Sequence, residues 1–375
     1  MVTEKKIKLK KPVILILKII GIFLAVFIGL ICFYRYNINE IKKLGYSEKA
    51  SNKILFNFKK KYVIGLGKNK TLNAAFESDD YIEENLDSYS KITYRNQPHL
   101  IKNINILIKK KYSNSDISII ISHGSDKDIS EFAKKNKVRY LEEFFTLSYA
   151  KIKYYDRYVL YSDETGEDEE TTVLYVNLNM DKDDYSNPIV IDKYNKEVLV
   201  NKHRQLSKKY VPADLVDIDE KYASDNTQKG VKDAVNAFIQ MSKAAEKQNF
   251  GLIINSSYRS YEEQEELCNT YANLYGQDYV NKYVAKPGFS EHQTGFSFDI
   301  GSKSSNVFAN SSEYEWIQNN SYKYGFIQRY PKKFENITGF RNESWHYRYV
   351  GKDIAKYIYE HNISFEEYYM LFLDN

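Results

Sequence analysis

Cysteine is nearly absent, with two residues in 375, Cys32 and Cys268. Cys32 belongs to an apolar run and Cys268 stands alone, so no intramolecular disulfide is expected and no cysteine-based zinc cluster can form. An excess of charge is missing too. Fifty-four basic against 50 acidic side chains leave a formal charge of +4, which gives no electrostatic case for nucleic acid as a partner. The runs Lys59–Lys61 and Lys109–Lys111 read as solvated faces. Histidine is scarce at six residues. Four of them, His99, His123, His203 and His361, have no second ligand in a recognisable pattern nearby and read as surface or packed side chains.

What is plentiful is length and one long apolar run. The chain is long enough for one large domain or two to three ordinary ones, each with its own core. A lysine-rich start (Lys5, Lys6, Lys8, Lys10, Lys11) precedes an apolar segment from Val13 to Tyr34. The uninterrupted part, Ile19 to Tyr34, would span only about 24 Å as a helix, short of a hydrocarbon core of roughly 30 Å, so Val13 to Leu17 must contribute. Lys18 then lies where its ammonium can snorkel to the interface. The basic flank predicts a cytoplasmic N-terminus and an extracytoplasmic remainder. Ile31 to Arg35 are all bulky, without the small residues of a signal-peptide cleavage site. The expectation is an uncleaved single-pass anchor over residues 1–36 in a bacterial cell membrane.

Residues 37–209 read as a mostly helical extracytoplasmic region. "GYSEKASNKIL" from Gly45 is similar to "KYSNSDISIII" from Lys111, and "YIEENLDSYSKITY" from Tyr81 to "YLEEFFTLSYAKIKY" from Tyr140. These pairs fit a diverged repeat with Ser47 and Ser113 as helix N-caps. The acidic run "SDETGEDEE" from Ser162 reads as a wet loop and boundary, because it lacks the ligand order of a calcium loop. "TVLYVNLNM" and "EVLVNK" read as strands.

From Gln228 the pattern becomes helical, with Val231, Ala234, Val235, Phe238, Met241 and Ala245 on one face. A strand, "LIINS", follows, then Arg259 and a capping box of Ser260 and Glu263 that starts a helix. On that helix Tyr261, Gln264, Leu267, Cys268 and Tyr271 share a side. Gln264 reads either as a core amide bonded to backbone or as a group facing a cleft. "SEHQTGFSFDI" from Ser290 raises the same kind of choice, between a metal site and a plain strand behind a buried histidine. Alternation puts Phe296, Phe298 and Ile300 on one face and Asp299 on the other. "ESWHYRYVG" from Glu343 puts Trp345, Tyr347 and Tyr349 opposite His346 and Arg348. His292, Asp299 and His346 would make a His2Asp set that leaves the fourth position for water, as a catalytic zinc requires. Glu343 is the candidate base. Its parity is wrong for the face of His346, so it is expected on a bend just before the strand.

Together, "SSYRSYEEQ", "SEHQTGFSFDI", "YGFIQRYP", "ITGF" and "ESWHYRYVG" resemble, motif by motif, the zinc D,D-carboxypeptidases of the VanY type in the M15 peptidase group. The resemblance implies an α+β fold over residues 210–375, with an antiparallel sheet like that of the hedgehog domain. It implies Zn2+ on His292, Asp299 and His346, with Glu343 as catalytic base and Arg259 polarising the scissile carbonyl. Gln264, Ser290, Tyr330 and Trp345 fall at substrate-binding positions. Ser344 departs from the family, which has proline there. The implied partner is the peptidoglycan stem peptide, and the implied reaction is removal of terminal D-alanine. An L,D-carboxypeptidase acting on tetrapeptide stems shares these motifs, and a non-catalytic wall-binding module is the alternative from another class.

Overall fold

The computed structural model describes residues 11–135 and 138–374. Lys5, Lys6, Lys8 and Lys10, expected to flank the anchor, lie outside the described residues. The chain divides into two compact units, residues 1–146 with 151–156, and residues 147–150 with 157–375.

The first unit is helical. Helix α1 (Lys11–Lys43) runs unbroken for 33 residues and is apolar and long enough to cross a membrane. It continues beyond the expected Tyr34, and its last turns bury Asn37, Ile38 and Ile41. Helix α2 (Glu48–Phe56) begins at Ser47, whose hydroxyl accepts from the Ala50 N–H. The helix Asn114–His123 begins in the same way at Ser113, with Asp116 completing a capping box. Both satisfy backbone donors that a helix start leaves open. Helix α3 (Lys60–Leu66) follows α2 across a short elbow. Ile54, Leu72, Phe76, Tyr89, Ile104 and Ile120, all fully buried, belong to this unit's core.

The second unit is α+β. Its first segment corrects three sequence expectations. Residues 172–180, read as a strand, lie mostly in the helix Glu169–Asn177. Asp168 caps that helix by accepting from the Thr171 N–H, Glu169 and Glu170 suit its positive N-terminus, and Val173 and Val176 are fully buried. Capping and tertiary burial thus outweigh the strand preference of valine and threonine. The acidic loop expected from Ser162 shrinks for the same reason, since Ser162 to Thr165 end one helix and Glu169 begins the next. Val198, Leu199 and Val200 are buried but unpaired in any sheet, unlike the strand expected there. Residues 157–209 pack within this unit.

Strands β1 (Ile189–Ile191) and β2 (Arg204–Leu206) form a small parallel pair, and β3 (Leu215–Asp217) and β4 (Lys229–Val231) a small antiparallel one. The main sheet contains β5 (Leu252–Ser256), β6 (Ser297–Ser302), β7 (Phe326–Tyr330) and β8 (Glu343–Tyr349) in the order β5-β6-β8-β7, antiparallel throughout. One face is apolar. Leu252, Ile254, Phe298, Ile300, Phe326 and Tyr347 pack in one cluster with Val235, Phe238 and Met241 of the helix Lys232–Glu246. Full burial of side chains this size contributes about 1.5–3 kcal/mol each. The other face carries Asp299, His346, Arg348 and Arg329, and it builds the site.

Candidate metal centre and active site

Two local devices hold the three candidate ligands. Asp299 and His346 pair directly in the β6–β8 register, so their side chains rise together from one face of the sheet. His292 comes from the 3-10 turn Glu291–Thr294, which Gly295 ends at a φ of 69°. A Cβ at Gly295 would meet Val231 at 2.9 Å and Leu215 at 3.0 Å, so both conformation and space call for glycine there. The backbone N–H of Arg259 donates to the His292 carbonyl at 3.2 Å, tying this turn to the end of β5.

The donor atoms converge. One ligand atom from each of His292, Asp299 and His346 lies within 4.8 Å of the others. His292 Nδ1 is 2.7 Å from the Ser257 carbonyl, which can only accept, so Nδ1 carries the proton and Nε2 offers its lone pair. That Nε2 lies 3.4 Å from Asp299 Oδ2. His346 Nδ1 lies 3.0 Å from Asp299 Oδ1, and its Nε2 points away, 3.5 Å from Glu291 Oε2. Burial alone would lower the His346 pKa, but hydrogen bonds to Asp299 and Glu291 raise it to about 10. Asp299 is held well below the usual carboxylate range, since the two histidines outweigh its burial. The pocket therefore favours positive charge at its centre, and two nitrogens with a carboxylate are the donor set of an open zinc site.

Glu343 reaches the same place by a bulge. Gln328 pairs with Tyr347 and Tyr330 with Glu343, so two steps along β7 oppose four along β8. This distortion lies within the strand, whereas the sequence pointed to a bend before it. It also breaks the expected alternation, because Ser344 is buried and Trp345 is 44% exposed while Tyr347 is sealed in the core. Glu343 Oε2 lies 3.8 Å from His346 Nδ1. Burial raises its pKa to about 7; nearby His346 opposes the rise, and Asp299 and Glu291 add to it.

These groups line one small cavity of about 230 Å³, together with Arg259, Gln264, Ser290, Tyr330 and Trp345. All nine residues singled out from the sequence meet there. Arg259 Nη1 donates to Gln264 Oε1 at 2.8 Å and Nη2 to Ser256 Oγ at 3.2 Å. Gln264 in turn donates to the Ala285 carbonyl at 2.7 Å. Its amide thus holds the arginine fork in position and is itself bonded to backbone. The buried ring of Tyr330 sits 5.1 Å from that of His346.

Sequence reasoning missed the support beneath the site. Glu291 Oε1 accepts from Arg329 Nε at 2.8 Å and lies 3.2 Å from Arg348 Nη1. Ser297 Oγ donates to Glu291 Oε2 at 3.1 Å. Arg329 also binds Glu366 through both terminal nitrogens, at 2.8 Å and 2.5 Å. The side chains of Glu291, Arg329, Arg348 and Glu366 are fully buried. The two arginines hold Glu291 well below the usual carboxylate range against the effect of burial. The one available signal was the position of Glu291 beside His292. Its pairing with residues 38 and more positions away leaves no trace in local spacing.

Residues 228–352 match the family model described as VanY, D-alanyl-D-alanine carboxypeptidase. The chain is similar to the putative carboxypeptidase YodJ of Bacillus subtilis, 41% identical over 179 residues, covering 46% of this chain and 66% of the relative. It is also similar to a D-alanyl-D-alanine carboxypeptidase of Enterococcus faecalis, 39% identical over 125 residues, covering 31% of this chain and 46% of that one. A solved structure of a VanY D,D-pentapeptidase variant with Zn(II) is 31% identical, covering 46% of this chain and 98% of that chain, with a TM-score of 0.41. The chain spans less than two thirds of the length of these two curated relatives.

Proposed function

Since residues 228–352 form a domain of the VanY type in the M15 peptidase group, we propose that this protein is a zinc carboxypeptidase that removes the terminal D-alanine from peptidoglycan stem peptides. In this reading α1 is its single membrane anchor and the peptidase domain faces outward, where those peptides are. The proposed division is an anchor over 1–36, a mostly helical region over 37–209, of which residues 157–209 pack with the peptidase unit, and the peptidase over 210–375.

The observation that carries the reading is the convergence of Glu343 and Arg259 on the cavity where His292, Asp299 and His346 meet. These three residues would hold the metal. Zinc, when bound, supplies Lewis acidity, which acidifies water and polarises a carbonyl. The chain's own residues do the rest. Glu343, largely withdrawn from water and with its pKa raised to about 7, accepts the proton of the attacking water and passes it to the departing amine. Arg259, its fork fixed by Gln264 and Ser256, faces the oxygen on which charge grows. Ser290, Tyr330 and Trp345 line the space for the peptide, and the small cavity suits a terminal residue with only a methyl side chain.

The test is incubation of the purified full-length protein, in detergent with zinc, with defined pentapeptide and tetrapeptide muropeptides. Release of one D-alanine from the pentapeptide alone is the expected result. Cleavage of the tetrapeptide alone would assign L,D specificity, and no cleavage of either would reject the enzymatic reading.

A further inference from the structure

The elbow between α2 and α3 is a second apolar feature of the helical unit. Phe56 is 82% exposed and Phe58 93% exposed, far more than large aromatic side chains normally are in a protein surrounded by water. Phe58 also has a φ of 57°, a left-handed conformation that is costly for a bulky residue. The turn is nevertheless well held. Phe58 N–H donates to the Leu55 carbonyl at 3.2 Å and Lys59 N–H to the Ile54 carbonyl at 2.9 Å. The backbone therefore spends strain to hold an aromatic ring outward.

What lies beside the ring tells what covers it. Leu55 and Phe58 form one continuous apolar groove with Leu30, Ile31, Phe33 and Tyr34 of α1. The depth of the elbow is fixed by polar ties, since Tyr34 OH donates to Asn52 Oδ1 at 2.6 Å and Lys60 Nζ reaches both Asn37 and Glu40 at 2.5 Å. Counted from Val13 at about 1.5 Å per residue, a hydrocarbon core of roughly 30 Å ends near Phe33. Leu55 and Phe58 are thus level with the outer boundary of the bilayer. Exposed Ile64 and Leu66 of α3 extend the apolar surface, and exposed Lys61 supplies a cation beside it.

We infer that the α2–α3 elbow is a membrane-seating surface, with Phe56 and Phe58 inserted into the outer-leaflet interface of the bilayer that α1 spans. The inference rests on the anchored reading of α1. Aromatic rings are favoured at that depth, and a lysine beside them suits anionic headgroups. A single helix alone leaves the attached unit free to pivot and spin. A second contact beside that helix fixes which side of the helical unit faces the lipid.

The experiment uses the full chain in liposomes containing phosphatidylglycerol, with Cys32→Ser and Cys268→Ser removing the native thiols. Nitroxide labels are attached through Phe58→Cys and, as a water-facing control, Glu131→Cys. Neither position is buried, so labelling leaves the fold intact. Carbonate extraction is run first, and the chain is expected to stay in the membrane. The label at 58 should then collide severalfold more with dissolved oxygen, relative to a water-soluble nickel chelate, than the label at 131. Release by carbonate would overturn the anchored reading and this inference with it. A retained chain whose label at 58 meets the chelate as freely as the control would overturn the inference alone. Shielding from both reagents would also overturn it, in favour of a second copy of the chain covering the elbow.

Discussion

Asp299 and His346 face each other across strands β6 and β8, with Asp299 Oδ1 3.0 Å from His346 Nδ1. The sheet register alone sets that approach, so two of the three proposed ligands are fixed by backbone hydrogen bonds and need no loop to order around a metal. His292 is the third, delivered by a turn, with its ring oriented by the Ser257 carbonyl.

The wild-type protein should therefore carry one zinc per chain. His292→Ala with His346→Ala should abolish it while leaving the apolar face of the sheet intact. Elemental analysis with a circular dichroism melt checks both. Equal zinc in wild type and variant would refute the site.

Glu343→Gln keeps the shape of the side chain and removes its basicity. Turnover should fall about 10² to 10⁴-fold from lost acid–base catalysis, with zinc content unchanged. Steady-state kinetics on a pentapeptide stem decide this, and near-normal turnover would reject Glu343 as the base.

Arg259→Lys loses the planar fork and should depress kcat with a smaller effect on KM. Because Gln264 grips that fork through its Oε1, Gln264→Ala should lower kcat as well, by less than Arg259→Lys does. A Gln264 that only contacts substrate would raise KM and spare kcat. The split between the two constants distinguishes these roles.

Glu291 and Glu366 offer a paired test of the buried network. Each replacement by glutamine removes one negative charge beside Arg329, and unbalanced buried charge costs about 3–5 kcal/mol. Both variants should melt earlier. Only Glu291 approaches His346, at 3.5 Å from Nε2, so only Glu291→Gln should weaken zinc binding, by about 10 to 100-fold. Chelator competition on the folded fraction measures it. Equal zinc affinity in the two variants would reduce Glu291 to a structural role.

The legible parts of the sequence were those governed by short-range rules. Alternation in "GFSFDI" put Phe298 inward and Asp299 toward the site, and the capping box at Ser260 marked the start of the helix that bears Gln264. Where two local signals conflicted, sequence reading failed. Residues 172–180 have β-branched composition, yet Asp168 caps a helix there. The bulge in β8 was equally hidden, because it results from how β7 pairs with β8 and not from residues 343–349 alone. The charged support was the least visible. Glu366 meets Arg329 from 37 positions away, and a glutamate at the second residue of a short helix looks like an ordinary favourable charge at a helix start.

Glu366 lies 14 positions beyond the last residue of the family match. A polypeptide emerges N-terminus first, so α1 and the helical unit leave the ribosome well before this carboxylate. Until it arrives, Arg329 lacks its bidentate partner and Glu291 lacks a settled one. The geometry beneath the candidate metal centre is therefore completed by a carboxylate outside the segment that carries its ligands.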